Sequence, residues 1–112
     1  MNRFENAKDD QDKEPENAKQ SNMLENVLHK NRTLTLFGEI NQDVARKTAE
    51  RLLACAYESD VPITLYIGSP GGHVESGDTI YDMIQFIKPV VRIIDTGWVG
   101  SIATHIYLAD EK

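Results

Sequence analysis

From Thr33 onward the apolar positions follow two alternating rhythms. Thr33-Leu34-Thr35-Leu36-Phe37 alternates β-branched and apolar residues and stops at Gly38, which predicts a strand. Asn41 stands where a helix cap is needed, with Asp43 favourably placed near the positive end of the dipole. Val44, Ala45, Thr48, Leu52, Leu53, Ala56 and Tyr57 then recur at helical spacing, while Arg46, Lys47, Glu50, Arg51 and Glu58 fall mostly elsewhere. Residues 63–67 predict a second strand, an apolar run of the kind buried on both faces. Ser69-Pro70-Gly71-Gly72 ends it. Val74, Gly77, Ile80, Tyr81, Ile84 and Ile87 mark another amphipathic helix, closed by Pro89. A third strand, residues 90–94, leads through Gly97-Trp98-Val99-Gly100 into a last apolar stretch over residues 101–109. Strand followed by helix, repeated, is the pattern of an α/β fold with parallel strands.

Before Thr33 the rhythm is missing. Residues 1–30 are mostly Asn, Asp, Glu, Lys and Gln and hold 5 of the 12 basic and 7 of the 18 acidic residues. Such a segment buries too little apolar surface to offset its ordering entropy, so it reads as a flexible polar arm with at most a helical turn over residues 23–28. The remaining residues, 31–112, are near the lower size limit for a self-sufficient core.

Composition narrows the function classes. With 112 residues, 40% of them hydrophobic and 27% charged, the chain is ordinary for a globular protein. It holds no run of the ~18–20 apolar residues that would cross a bilayer, and no apolar segment in its charged N-terminus resembles a secretory signal. A net charge of -6 argues against nucleic acid as the main partner. Cys55 is the only cysteine, which excludes an internal disulfide and makes a cytoplasmic home the default. On an apolar helix face it is expected in the core, and no metal or organic cofactor site is expected.

Two junctions between strand and helix are rich in glycine, and in open α/β folds ligands gather at such places. Gly68-Ser69-Pro70-Gly71-Gly72-His73 puts flexible backbone ahead of a helix, whose free N–H groups could face a developing negative charge. The plainer alternative is a turn. Gly97-Trp98-Val99-Gly100-Ser101-Ile102-Ala103 sets a serine between strand and helix, with the N–H of Ile102 beside it. That is the logic of a nucleophile elbow, and its plainer alternative is a helix-capping serine.

Taken together, Ser-Pro-Gly-Gly at 69–72, Tyr-Asp-Met-Ile-Gln-Phe-Ile-Lys-Pro at 81–89, and Gly-x-x-x-Ser at 97–101 resemble the proteolytic subunit of the Clp protease, a self-compartmentalised serine peptidase. The resemblance runs over residues 33–109 and is most specific at 81–89. It implies a ClpP/crotonase-like α/β fold of repeated ββα units, incomplete at the C-terminus here. It further implies Ser101 as the nucleophile that forms an acyl-enzyme, the backbone N–H groups of Gly72 and Ile102 as the oxyanion hole, and Gly71 and His73 in a substrate-binding loop. Family members form homo-oligomeric heptameric rings, and two rings enclose a chamber. An AAA+ unfoldase delivers unfolded polypeptide to it. The N-terminal arm would lie where the family carries its propeptide or pore loops.

Departures from the family pattern suggest a divergent member with an altered pocket. Gly68 stands in place of asparagine, His73 and Glu75 in place of small residues, Val99-Gly100 in place of two alanines, and Ile102 in place of methionine. The family's triad histidine and aspartate follow the serine at positions beyond Lys112. Of the three histidines, His105 follows Ser101 by one helical turn and would point away from its hydroxyl. His73 is expected as a loop residue that could also line a substrate channel. Asp78, Asp82 and Asp95 are expected to be solvated. The chain is therefore expected to be a fragment of a longer peptidase, exposing apolar faces at Leu36, Ile67, Ile93 and Ile106. The alternative is a catalytically silent ring subunit, and the weakest rival is an acyl-CoA enzyme on the related fold.

Overall fold

Alternation along three short segments decides which side of the sheet becomes the core. The computed structural model describes residues 16–110. In chain order they form α1 (Glu16–Lys30), β1 (Thr33–Phe37), α2 (Gln42–Glu58), β2 (Ile63–Ser69), α3 (Val74–Phe86), β3 (Val91–Val99) and α4 (Ile102–Tyr107), closed by a 3₁₀ turn over Leu108–Asp110. The strands pair in parallel in the order β1-β2-β3, with Leu34 opposite Leu65, Leu36 opposite Ile67, and Leu65 opposite Ile93. Those residues, with Ile63 and Val91, are all buried. The helices cover that face in succession, α2 packing on α3 and α3 on α4. Leu52, Cys55, Ile80, Ile84 and Ile106 fill the space between at no exposure.

Two expectations fail for this one reason. Leu36, Ile67, Ile93 and Ile106 are not exposed; all are in the core, because every helix among the described residues that joins or follows the strands comes to their side. Residues 63–67 are not buried on both faces either. Thr64, Tyr66 and Gly68 are only half-buried, and Phe37 and Ile94 on the same open face are exposed. Tyr57, expected on the apolar face of its helix, is 88% exposed.

β3 also runs further than its apolar pattern. It continues to Val99, because Thr96 donates its hydroxyl to Ile67 O at 3.1 Å and Gly100 N donates to Ser69 O at 3.0 Å after a register shift. Ile40 and Gly72 form a parallel bridge outside the main sheet, so a second short extended pairing lies beside the first.

In place of the expected single turn at 23–28, residues Glu16–Lys30 form a continuous helix, and the rest of the expected arm lies outside the described residues. None of α1 is buried; polar contacts fix it, Glu25 to Arg51 at 2.7 Å and His29 Nε2 to Glu58 at 2.7 Å. Its junction to β1 is Arg32, at φ 52°. The guanidinium donates to Val61 O, Cys55 O and Ser59 O at 2.9, 2.9 and 3.0 Å, which satisfies the end of α2 and the turn after it. As expected, Asn41 caps α2, its side chain accepting from Val44 N at 2.9 Å.

Arg32→Ala is expected to cost about 2 kcal/mol in urea unfolding by removing these charge-assisted bonds, and Arg32→Lys to recover little of it, because an ammonium cannot span three carbonyls. Burial pushes the Cys55 thiol pKa up, with Glu58 adding to the rise and Arg32 opposing it. A raised folded value means that this contribution to stability is complete below the unfolded thiol's pKa and is lost as pH rises through the folded one. Iodoacetamide at about pH 8 is therefore expected to modify Cys55 at least ~100-fold faster in the unfolded chain than in the native one.

Candidate active site

The parallel pairing of β2 and β3 places their carboxyl ends side by side, and both glycine-rich segments leave the sheet there. They meet. A Cβ on Gly71, whose φ is 107°, would lie 2.7 Å from Ser101 Cβ, 3.0 Å from Gly100 O and 3.3 Å from Ile102 N. A glycine is required at 71 both by its conformation and by this approach.

Ser69 holds the first segment in shape. Its side chain is fully buried and its Oγ accepts from Gly71 N at 3.0 Å, closing a local turn around Pro70. Ile40 holds the other side: its N–H donates to Gly71 O at 2.9 Å and its carbonyl accepts from His73 N at 2.8 Å. In an extended segment alternate N–H groups point opposite ways, so the N–H of Gly72 faces away from Ile40. It donates to no group among the described residues.

Ser101 is held differently from a capping serine. It immediately precedes α4, yet its hydroxyl caps nothing, and its backbone stands at φ 52°, ψ −129°. That conformation is unfavourable for a residue with a Cβ and persists only where the surroundings impose it. Here Gly100 N is tied to Ser69 O on one side and Thr104 N to Ser101 O, at 3.0 Å each, on the other. The side chain is exposed. Ile102, the first helical residue, has an N–H with no acceptor among the described residues. Its side chain lies over Gly77 of α3, where any added Cβ would overlap Ile102 Cγ1. One free hydroxyl thus stands beside the Gly71 turn, with two free backbone donors on the segments that meet there. Such donors can stabilise negative charge developing on an oxygen.

The remaining candidates take structural positions. His73 is exposed, as expected of a loop residue, but its ring is engaged. It caps α3, with Nδ1 accepting from Ser76 N at 3.3 Å and lying 2.7 Å from Ser76 Oγ. Asn41, Gln42, Asp43 and Arg46 line the open groove next to it. Hydrogen bonding from Arg46 holds the Asp43 carboxyl below its ordinary pKa. His105 stacks on Tyr81, ring centroids 4.1 Å apart, with Nε2 3.5 Å from Asp78 Oδ1. Asp78 is therefore not merely solvated. Asp95 accepts from Gly97 N at 3.1 Å, and Asp82 is exposed. His29, the third histidine, pairs with Glu58 and lies 3.8 Å from Cys55 Sγ through Nδ1.

Sequence reading missed Ser69, Ile40 and Gly77. Ser69-Pro70-Gly71 does carry the signal of a serine turn. Nothing in the sequence says that Ile40 bridges to Gly72 or that Ile102 needs the space at Gly77, since both are contacts between distant segments. Among the described residues no group of His, Cys, Asp and Glu could hold a metal ion, and no helix is long and apolar enough to cross a membrane.

Comparison with known proteins identifies the family. The profile of the family described as Clp protease matches residues 16–112. The ATP-dependent Clp protease proteolytic subunit 3 of Rhizobium johnstonii is 47% identical over 104 residues, covering 93% of this chain and 54% of that protein. Subunit 2 of Gluconobacter oxydans is 51% identical over 88 residues, covering 77% of this chain and 40% of that protein. The structure of ClpP1 from Listeria monocytogenes matches with a TM-score of 0.74 and 51% identity, over 77% of this chain and 51% of that one. The chain spans about half the length of the curated relatives it matches. A profile match over residues 16–112, together with relatives this similar, settles the family: the chain belongs to the Clp proteases.

Proposed function

We propose that this chain carries the nucleophile and oxyanion-binding portion of a Clp-type serine endopeptidase subunit acting on unfolded polypeptide. The observation that carries the reading is Ser101: an exposed hydroxyl without a partner among the described residues, on a backbone held at φ 52°, ψ −129°. A strained serine that caps nothing has no evident structural purpose, and strain of this kind gathers at functional sites.

In the reaction proposed, Ser101 Oγ attacks the scissile carbonyl carbon while a base takes the hydroxyl proton. The carbonyl oxygen becomes an oxyanion, which accepts from the N–H groups of Gly72 and Ile102. Collapse expels the amine, which takes a proton from the base, and leaves an acyl-enzyme on Ser101. Water then attacks the ester and restores the hydroxyl. Gly71 and His73 line the approach of the peptide, with Gly71 allowing its backbone close to Ser101.

The base and the group that orients it come from polypeptide outside the described residues. His29, His73 and His105 are each engaged, with Glu58, Ser76 and Asp78 respectively. The same observation supports a second reading, a catalytically silent subunit mixed with active ones in a ring. In either reading the protein works as a ring subunit in the cytoplasm, supplied by an AAA+ unfoldase and using no cofactor; the ring is a homo-oligomer in the first reading and a mixed one in the second.

A fluorophosphonate probe is expected to label the full-length polypeptide, and Ser101→Ala to remove the label. Labelling that persists in the variant excludes Ser101 as nucleophile; absence of labelling in the parent, with the rings intact, supports the silent subunit. Gly71→Ala is expected to lower the labelling rate at least tenfold, because its Cβ enters the space of Ser101 Cβ and its φ becomes unfavourable. Circular dichroism is expected to show the fold retained.

A further inference from the structure

Helix α4 is only six residues long, too short to hold itself, yet it fixes the backbone that leads out of Ser101. Its orientation must come from what it touches. Ala103 and Ile106 are buried in the core, which sets its depth. Its rotation and slide against α3 are set at three places. At its start Ile102 sits over Gly77. Past its end Gln85 donates its side-chain N–H to Ala109 O at 2.7 Å. Between them, His105 lies flat against Tyr81, at an interplanar angle of 16°, with Nε2 3.5 Å from Asp78 Oδ1. Of these three fastenings, only the middle one contains ionisable side chains, an imidazole facing a carboxylate.

We infer that His105 is a positioning residue, a proton-dependent clamp between α4 and α3 that aligns the Ser101 turn for reaction. The inference rests on the reading of Ser101 as nucleophile. The charged imidazolium attracts the Asp78 carboxylate, gains a cation–π interaction with the Tyr81 face, and complements the negative end of α4, in whose last turn it lies. The neutral ring retains only the stacking and a long polar contact. Among the described residues, the groups that meet it are Asp78 and Tyr81, both on α3. On β3, which also packs on α4, Asp95 is bonded to Gly97 N, and Arg92 belongs to the open face of the sheet. The clamp therefore tightens as pH falls. His105 and Asp78 are about half exposed, 44% and 52% by side chain, so the gain is modest. It is transmitted to a residue whose strained backbone tolerates little displacement.

The test compares fluorophosphonate labelling rates of the full-length polypeptide with those of His105→Gln, His105→Arg, Asp78→Asn and Ser101→Ala, from about pH 5.5 to about pH 8.5. The ratio of the parent's rate to that of His105→Gln cancels the titration of the general base. It is expected to be about threefold near pH 5.5 and to approach one near pH 8.5. His105→Arg keeps a planar cation and is expected to hold the low-pH advantage over His105→Gln at every pH; Asp78→Asn is expected to track His105→Gln. A ratio that does not change with pH overturns the inference and leaves His105 a packing residue. Should Ser101→Ala still be labelled, the nucleophile reading fails, and amide hydrogen exchange in α4 decides the clamp separately. Protection that grows as pH falls in the parent and not in His105→Gln upholds it; equal protection in both overturns it.

Discussion

The site depends on the closeness of two backbones. Gly71 and Ser101 approach until no side chain can stand between them, and the surrounding structure serves to keep them there. The parallel pairing of β2 with β3 brings the two segments to the same end of the sheet. Ser69, buried at the end of β2, then fastens both: its Oγ shapes the Gly71 turn, and its carbonyl receives Gly100 N. One residue thus anchors the Gly71 turn and the Ser101 turn to a single strand end. A shift of β3 along β2 would move them apart.

That arrangement explains why strain at Ser101 can persist. A positive φ in a residue with a Cβ costs of order 1–3 kcal/mol and relaxes unless both flanks are fixed. The upstream flank is held by the sheet. The downstream flank is a helix too short to be stable alone, so α3 acts as a rail for it through Gly77, the Asp78–Tyr81 pair and Gln85. The run at 81–89, where the resemblance to the family is most specific, therefore contributes indirectly to the site: Tyr81 touches α4 and Gln85 the turn past its end, not Ser101.

Local patterns were legible in the sequence, and contacts between distant segments were not. Alternation located β1, the helical period located α2 and α3, and the glycine-rich junctions marked both halves of the site. Asn41 was readable as a cap because capping is a matter of a few neighbouring residues. The expected exposure of Leu36, Ile67, Ile93 and Ile106 was wrong because it required knowing which face the helices cover, a property of the whole topology. The one-turn estimate for α1 failed for a related reason. Propensity and burial alone do not favour that helix, and the Glu25–Arg51 and His29–Glu58 pairs that fix it join it to α2 across more than two dozen residues of chain. At His73 the sequence reading offered a loop residue and did not find the cap, which its place just before α3 makes possible.

All three histidines are committed to holding helices: His29 joins α1 to α2, His73 caps α3, and His105 joins α4 to α3. Moving any of them to Ser101 would release the element it fastens. Ser101 is nevertheless exposed, and the Gly71 turn lies beside it without covering it. Any group that meets the hydroxyl has to approach from the uncovered side. The exposed Ser101 and the N–H groups of Gly72 and Ile102 are thus built from one set of βα units. The alignment of Ser101 is set within this part of the fold, by the end of β2 at Ser69 on one side and by the short helix α4 on the other.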